Sequence, residues 1–138
     1  MADTELRDSM RVLMMPRDTN HLGTIFGGVI LSYIDQAGFV EARRHGLHRW
    51  VTIAMDDVIF KEPVYVGDIV AFRTRTIETG TTSVKVEVVV EAERFESGKT
   101  VQVTTAGVKM VAVDKNGKSI DFRKEPTLDR RYPHGAFV

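Results

Sequence analysis

The feature of this sequence that most constrains its fold is a nearly continuous apolar segment, Val29 to Ala42, interrupted by an acid, Asp35. A glycine pair, Gly27 and Gly28, precedes the segment, and Gly46 follows it. We predict a helix over residues 28–45 that ends at Gly46, because glycine just past a helix end tolerates a positive φ. The first half of this helix is apolar on nearly every side, which is typical of a buried helix.

The helix face that carries Asp35 is rich in small residues. At 3.6 residues per turn it also holds Gly28, Leu31, Gly38, Phe39 and Ala42. Small side chains leave room for a ligand or for another helix to come close. An unpaired carboxylate is costly to bury, so Asp35 either has a structural donor or serves a chemical role. The residues alone leave both interpretations open.

Length and composition set further bounds. The 138 residues indicate one domain over 1–138, with a core over about 10–120. A net charge of zero argues against nucleic acid or a membrane surface as a partner, and the absence of cysteine excludes a thiol nucleophile. The four histidines lack metal-ligand spacing, so we expect no metal. The N-terminus does not resemble a signal peptide and the helix is too short and polar to span a bilayer, which predicts a cytoplasmic protein.

The rest of the chain reads as five strands. We predict them at residues 11–15, 50–60, 69–78, 83–93 and 100–113, with a loose leader over 1–9 and an extended or mobile tail from Lys124. The fourth strand alternates most clearly, since Val84, Val86, Val88, Val90 and Ala92 share one face and Val89 is the exception on the other. Asp56 and Asp57 mark a bulge or an edge, and Gly107 marks a bulge or a close approach. The order predicts an α+β fold with one antiparallel sheet curled around the helix.

Several segments together resemble one known family. They are MMPRDTNHLGTIFGG at residues 14–28, Ile34-Asp35, FKEPVYVGD at 60–68, TGTTSVKVEV at 79–88 and VAVDKNGK at 111–118. They are similar to the hotdog-fold acyl-CoA thioesterases of the YciA type and to the brain acyl-CoA hydrolase domains. The resemblance implies a five-stranded sheet wrapped around one long helix, and hydrolysis of acyl-CoA to a free acid and CoA without a cofactor. It also implies a homodimer as the catalytic unit and often a hexamer of three dimers.

The sequence departs from the family pattern in two places. Gln36 and Ala37 stand between the acid and Gly38, where the family usually has a glycine directly after the acid. The strand after the helix reads TIAMDD, with two acids in place of the commoner one. Neither departure removes a residue that the family uses for chemistry.

Thioester hydrolysis needs a base or nucleophile and a donor to the developing oxyanion. Asp35 is the candidate for the first, as attacking carboxylate or as base. The amide of Gly27 at the helix start and the side chain of Asn20 are candidates for the second. Over a helix, Gly27 and Asp35 lie about 12 Å apart, so we expect Gly27 and Asn20 of one copy to face Asp35 of another. The structural alternatives are a turn residue for Asn20 and tight packing for the glycine pair.

Further residues are candidates for substrate binding. Phe39, Met55 and Ile59 are predicted to line an acyl pocket, together with Phe26 and Gly28, and the turn Gly80, Thr81, Thr82, Ser83 is predicted to lie near the nucleotide of CoA. The length of the acyl chain stays open. Two other functions remain at this point: a non-catalytic acyl-CoA sensor, and a hydratase or dehydratase that would use His21.

Overall fold

A computed structural model describes residues 5–128 of the chain. The elements in order are β1 (Arg7–Leu13), a short 3-10 turn (Pro16–Asp18), α1 (Gly27–Arg43), β2 (Arg49–Phe60), β3 (Ile69–Thr79), β4 (Ser83–Glu93) and β5 (Thr100–Val113). The strands form one antiparallel sheet in the order β1-β3-β4-β5-β2, so β1 and β2 are its edges. All five strands contact α1. The predicted curled sheet around one long helix is confirmed.

The core lies between α1 and the inner face of the sheet. The alternation in β4 predicts this face correctly, because Val84, Val86, Val88 and Val90 are all fully buried. On the helix side, Ile30 and Ile34 are the large buried residues of the same cluster. Burying such side chains stabilises the fold by about 1.5–3 kcal/mol each.

The helix differs from the sequence-based prediction at its end. It begins at Gly27 and ends at Arg43, and Gly46 does not adopt a positive φ. Gly46 is required for a different reason: a Cβ there would stand 2.6 Å from the carbonyl oxygen of Phe122 and 2.8 Å from the ring of His48. The C-terminal segment that passes over Gly46 thus explains the glycine.

The small-residue face of α1 is also used differently than predicted. Gly38 and Ala42 are buried against the sheet of the same chain, and a Cβ on Gly38 would lie 3.1 Å from Val108. Gly38 and Ala42 therefore bring α1 close to β5 and are not themselves available to a ligand or a second helix. Glu41, on the same buried side, is fully enclosed and is bound by donors from two strands.

Near both ends of residues 5–128, the chain makes contacts that the sequence does not indicate. β1 begins at Arg7, which pairs with Thr74 of β3, so the predicted leader is wrong for residues 7–9. In the predicted tail, the amide of Thr127 donates to the carbonyl of Leu47 at 3.1 Å. The rest of both predictions, over residues 1–4 and 129–138, lies outside the described residues.

Two irregularities in β2 and β5 were predicted correctly. The register between them shifts between Asp56 and Ile59, and Asp57 adopts a φ of 52°, which is uncommon outside glycine. Gly107 is a close-approach site, because a Cβ there would collide with the carboxylate of Asp56. Within residues 5–128, no helix is long and apolar enough to cross a membrane.

Candidate active site

Asn20 closes the loop that leads into α1. Its Oδ1 accepts hydrogen bonds from the amides of Leu22 at 2.8 Å and Thr24 at 3.2 Å, and its Nδ2 donates to the hydroxyl of Thr24 at 2.9 Å. Asn20 is therefore a turn residue, which was one of its two predicted roles. Because Nδ2 carries two hydrogens, one donor remains for a further partner.

The start of α1 presents free amides. The amide of Phe26 donates to the carbonyl of Asp18 at 2.8 Å, which fixes the chain just before the helix. The amides of Gly27 and Gly28 lie in the first turn, where no helical acceptor exists, and within residues 5–128 neither donates to another backbone carbonyl. No acid occupies this first turn, so its positive dipole end is free to bind an oxyanion.

Phe26 and Gly28 are in contact at this helix start. The half-exposed Phe26 ring lies over Gly28 so closely that a Cβ on Gly28 would stand 2.5 Å from the ring. Gly27 is more open, because a Cβ there would first meet Phe60 at 3.5 Å. The absence of side chains on both glycines leaves the two amides accessible beside an aromatic ring.

Asp35 lies in the middle of α1 and is half-buried. Its Oδ1 accepts a short hydrogen bond from the hydroxyl of Thr52 on β2. The same hydroxyl contacts the sulfur of Met110 at 3.1 Å. Thr52 thus orients one carboxylate oxygen and leaves Oδ2 with no hydrogen bond to any residue that the structure describes.

A cavity of about 610 Å³ adjoins this carboxylate. It is lined by Met10, Asp35, Gln36, Phe39, Val40, Trp50, Val51, Thr52 and Met110. Most of these side chains are apolar, so the cavity suits an apolar group next to a carboxylate. Phe39 lies in this wall, but Met55 packs against the core and Ile59 lines a separate cavity beside Asp57. In the single chain, the predicted grouping of Phe39 with Met55 and Ile59 is therefore not found.

A second cavity, of about 240 Å³, adjoins Gly27. Ile25, Ile30, Phe60, Val64 and Thr104 are among its lining residues. Asp35 lines only the first of these two cavities and Gly27 only the second. Two turns of one rigid helix separate the carboxylate from the free amides, so a single chain does not bring them to one carbon atom.

The turn from Gly80 to Ser83 joins β3 to β4 and is held by several contacts. The amide of Gly80 donates to the carbonyl of Ser83 at 2.8 Å, and the carbonyls of Thr81 and Thr82 accept from Phe122 and Ala112. Gly80 and Ser83 share a cavity of about 440 Å³ with Lys85 and Lys109. Asp56 and Glu78 line the same cavity, and Lys85 is paired with Asp56 at 3.3 Å, which leaves Lys109 as the cation beside a turn rich in hydroxyls.

Sequence reasoning did not identify Thr52, Trp50 or Met110 as residues near the acid. They lie on β2 and β5, and only the crossing of these strands over α1 brings them to Asp35. No local pattern signals such contacts.

Lys85 and Lys109 carry only a weak sequence signal for phosphate binding, since each follows a turn or a bulge on an alternating strand. His21 is exposed next to Asn20. Within residues 5–128, no group of acids and histidines is arranged to hold a metal ion.

Comparison with known proteins gives a consistent result. The model of the Thioesterase superfamily matches residues 22–109. The acyl-CoA thioester hydrolase YciA of Escherichia coli is 39% identical over 112 residues, which cover 79% of this chain and 85% of that protein. A hexameric hotdog-fold thioesterase of Campylobacter jejuni is 44% identical with a TM-score of 0.80, and the match covers 83% of this chain and 89% of that one.

A third similar protein has been solved with ligands. An acyl-CoA hydrolase of Staphylococcus aureus, in complex with butyryl-CoA and CoA, is 28% identical with a TM-score of 0.75, covering 88% of this chain and 74% of that one. It has also been solved with one asparagine and with one aspartate changed to alanine. These two residues are as far apart in its sequence as Asn20 and Asp35 are here.

Proposed function

This chain belongs to the thioesterase superfamily, and we propose that it hydrolyses acyl-CoA at a site shared by two copies of the chain. It is an acyl-CoA thioester hydrolase whose products are a carboxylic acid and CoA. In the site, Asp35 belongs to one copy, while Asn20 and Gly27 belong to the other. The observation that carries this proposal is the carboxylate of Asp35 at the wall of an apolar cavity, separated by two helical turns from free amides.

The separation along α1 requires a second copy. At about 1.5 Å per residue, Gly27 and Asp35 are about 12 Å apart, whereas a thioester carbon needs both within roughly 3–3.5 Å. Two copies of α1 related by a two-fold axis place Gly27 of each near Asp35 of the other, which gives two identical sites per dimer.

The edge strand β2 offers the surface for this dimer. Val51 and Ile53, which flank Thr52, are exposed by 41% and 56%. An unpaired edge strand with exposed apolar side chains is a site for pairing with another chain. Because Thr52 on this strand binds Asp35, the same strand that meets the second copy also holds the catalytic carboxylate in place.

In the proposed reaction, the thioester carbonyl oxygen accepts hydrogen bonds from the amide of Gly27 and from the free hydrogen of Asn20 Nδ2. Asp35 either takes a proton from water, which then attacks the carbonyl carbon, or attacks it directly. The oxyanion that forms is stabilised by the helix N-terminus. When it collapses, the carbon–sulfur bond breaks and CoA leaves as a thiolate. In the second route, water then hydrolyses the acyl-aspartate.

The remaining features of the site complete the proposal. Gly80, Thr81, Thr82 and Ser83, with Lys109 beside them, are suited to the phosphates of CoA, since hydroxyls and ammonium groups bind anions. The reaction as written needs no metal and no cofactor. We also propose a single domain over residues 1–138, a cytoplasmic location and a hexamer of three dimers, as the Campylobacter jejuni protein forms a hexamer.

The shared site is tested by mixing two inactive variants. Asp35→Asn should fold but lose about 10²–10⁴ in turnover, because an amide is not a base. Asn20→Asp keeps the Oδ1 that binds the amides of Leu22 and Thr24, but it loses the free donor and places a negative charge beside the oxyanion. Each homodimer should therefore release thiol from acyl-CoA slowly.

When the two variant chains are unfolded together and refolded, half of the dimers are mixed, and each mixed dimer has one intact site. Activity should recover to about a quarter of the wild-type value. The matched control is Asp57→Asn, the same change at an exposed residue whose positive φ suits asparagine, and it should keep full activity. A mixture no more active than the mean of its parents, with chain exchange shown by a tag, would refute the shared site.

A further inference from the structure

Thr104 is a buried polar residue whose hydroxyl is left without a partner. It lies in β5 on the same face of the sheet as the core residues Ala106 and Val108, and it is fully buried. Within residues 5–128, its Oγ1 is the buried side-chain nitrogen or oxygen atom that makes no hydrogen bond. Thr74 and Thr76, also buried, both donate to Glu41. A buried hydroxyl without a partner is destabilising, so its presence needs a reason.

The side chain of Thr104 forms part of the wall of the 240 Å³ cavity beside Gly27. This cavity lies between the first turn of α1, the inner face of the sheet and the connection from β2 to β3. Ile25, Ile30, Phe60, Pro63 and Val64 make most of its lining apolar. Thr104, with its unpaired hydroxyl, therefore adjoins a largely apolar compartment, also lined by Lys61 and Glu62, next to the proposed oxyanion site.

We propose that this cavity receives the acyl group of the substrate, and that Thr104 determines specificity by favouring short acyl groups that carry an oxygen, such as 3-hydroxyacyl and 3-oxoacyl groups. The inference rests on the proposed function. If the amide of Gly27 binds the thioester carbonyl, the acyl chain starts within one bond of that carbonyl and so at the entrance of the cavity.

Volume and chemistry both limit the acyl group. At roughly 30 Å³ per water-sized group, 240 Å³ holds about eight non-hydrogen atoms, which suits short chains. Rotation of the threonine side chain to another staggered χ1 position moves the hydroxyl, so it can turn toward a ligand oxygen in the cavity. Since a hydroxyl both donates and accepts, a hydroxyl and a keto oxygen of the acyl chain each satisfy it.

The test compares kcat/KM for 3-hydroxybutyryl-CoA and butyryl-CoA, which differ by one oxygen. For Thr104→Val, the ratio of the two values should fall by about three- to tenfold relative to the wild type, which is the effect of one ordinary hydrogen bond. Its melting temperature should be equal or higher, because an unpaired hydroxyl is replaced by a methyl group. Thr104→Ser should keep the wild-type ratio. Thr105→Val, on the other face of β5, is the matched control and should change neither value.

The following results would contradict the inference. An unchanged ratio in Thr104→Val would show that the hydroxyl does not meet the acyl oxygen. An equal loss on both esters would assign Thr104 to a part of the substrate that both share, such as the pantetheine arm. If Thr104→Val does not fold, Thr104→Ala allows the same comparison. Hydrolysis with an unchanged ratio refutes this inference alone, whereas a wild-type protein that cleaves neither ester refutes the proposed function and the inference with it.

Discussion

The buried carboxylate of Glu41 should hold the C-terminal end of α1 in a pH-dependent way. Its Oε1 accepts hydrogen bonds from Arg44 at 2.6 Å and Thr74 at 2.8 Å, and its Oε2 from Thr76 at 2.7 Å and Arg7 at 3.2 Å. Burial raises the pKa of Glu41, but the hydrogen bonds from Thr76, Thr74 and Arg44 and the charge of Arg7 outweigh it, so the net pKa is lowered.

The perturbation is Glu41→Gln, which keeps the shape and removes the charge. The amide oxygen can replace Oε1 toward Arg44 and Thr74, and the NH₂ group then faces Thr76 and Arg7. Thr76 can turn to accept, but Arg7 cannot. Since the Arg7 side chain is 43% exposed, it can turn to water instead. The loss is thus about one charge-assisted hydrogen bond, which we estimate at about 2 kcal/mol of unfolding free energy.

The pH dependence follows from the lowered pKa. A carboxyl with a lower pKa in the folded state contributes stability above its unfolded pKa, here the ordinary value of 4.5, and this contribution is lost as the pH falls through the folded pKa. The difference between wild type and Glu41→Gln should therefore shrink below pH 4.5. His45, whose pKa is lowered by burial, contacts Thr76, so pH 8 is the reference at which it is neutral in both states.

The assay is urea unfolding at fixed protein concentration, because dissociation of an oligomer contributes to the measured stability. The exposed Glu96→Gln is the matched control and should change the stability little at any pH. Glu41→Gln should retain its turnover, since Glu41 lies at the opposite end of α1 from Gly27. A penalty that stays the same from pH 8 to pH 4, or no penalty at all, would contradict the charge-based explanation.

Two further changes probe the site and its surroundings. Thr52→Val should lower kcat by about three- to tenfold with little change in KM, because it removes the hydroxyl that orients Asp35. Thr52→Ser keeps a hydroxyl and should restore kcat. An unaltered kcat in Thr52→Val would contradict this role. Gly46→Ala should lower the unfolding free energy by about 1–3 kcal/mol in a thermal melt, because its Cβ would stand 2.6 Å from the oxygen of Phe122. Gly27→Ala, with its nearest contact at 3.5 Å, is the control for that melt, and equal losses would contradict the steric explanation.

The elements of the fold were predictable where the pattern is local. The spacing of the valines in β4 and of the apolar residues in α1 each indicates which residues are buried. The start of β1 was not predictable, because the polar residues from Arg7 onward become a strand only through pairing with β3. Pairing with the rest of the sheet determines whether such a segment forms an edge strand, and the sequence of the segment itself carries little signal.

The proposed site could be inferred from the sequence only in part, for a related reason. Asn20, Gly27 and Asp35 stand out because they occur close together in the sequence with a family pattern. Thr52 and Thr104 do not stand out, since their surroundings come from strands and a helix far away in the chain. The sequence also suggested the wrong reason for Gly46, a helix end with positive φ. The carbonyl that excludes a side chain there belongs to Phe122, which is far away in the sequence.

The contacts of α1 explain why the proposed site requires a second copy of the chain. Asn20 and the amide of Phe26 fix the loop before the helix, and Glu41 fixes its other end, so the helix is held at both ends. A rigid helix keeps Gly27 and Asp35 about 12 Å apart at all times. Motion within one chain therefore cannot complete the site, and only a second helix can. Because Thr52 on the edge strand β2 orients Asp35, pairing at this edge would also fix the direction of the carboxylate. In the proposed dimer, its formation and the positioning of the proposed catalytic acid would thus depend on the same strand.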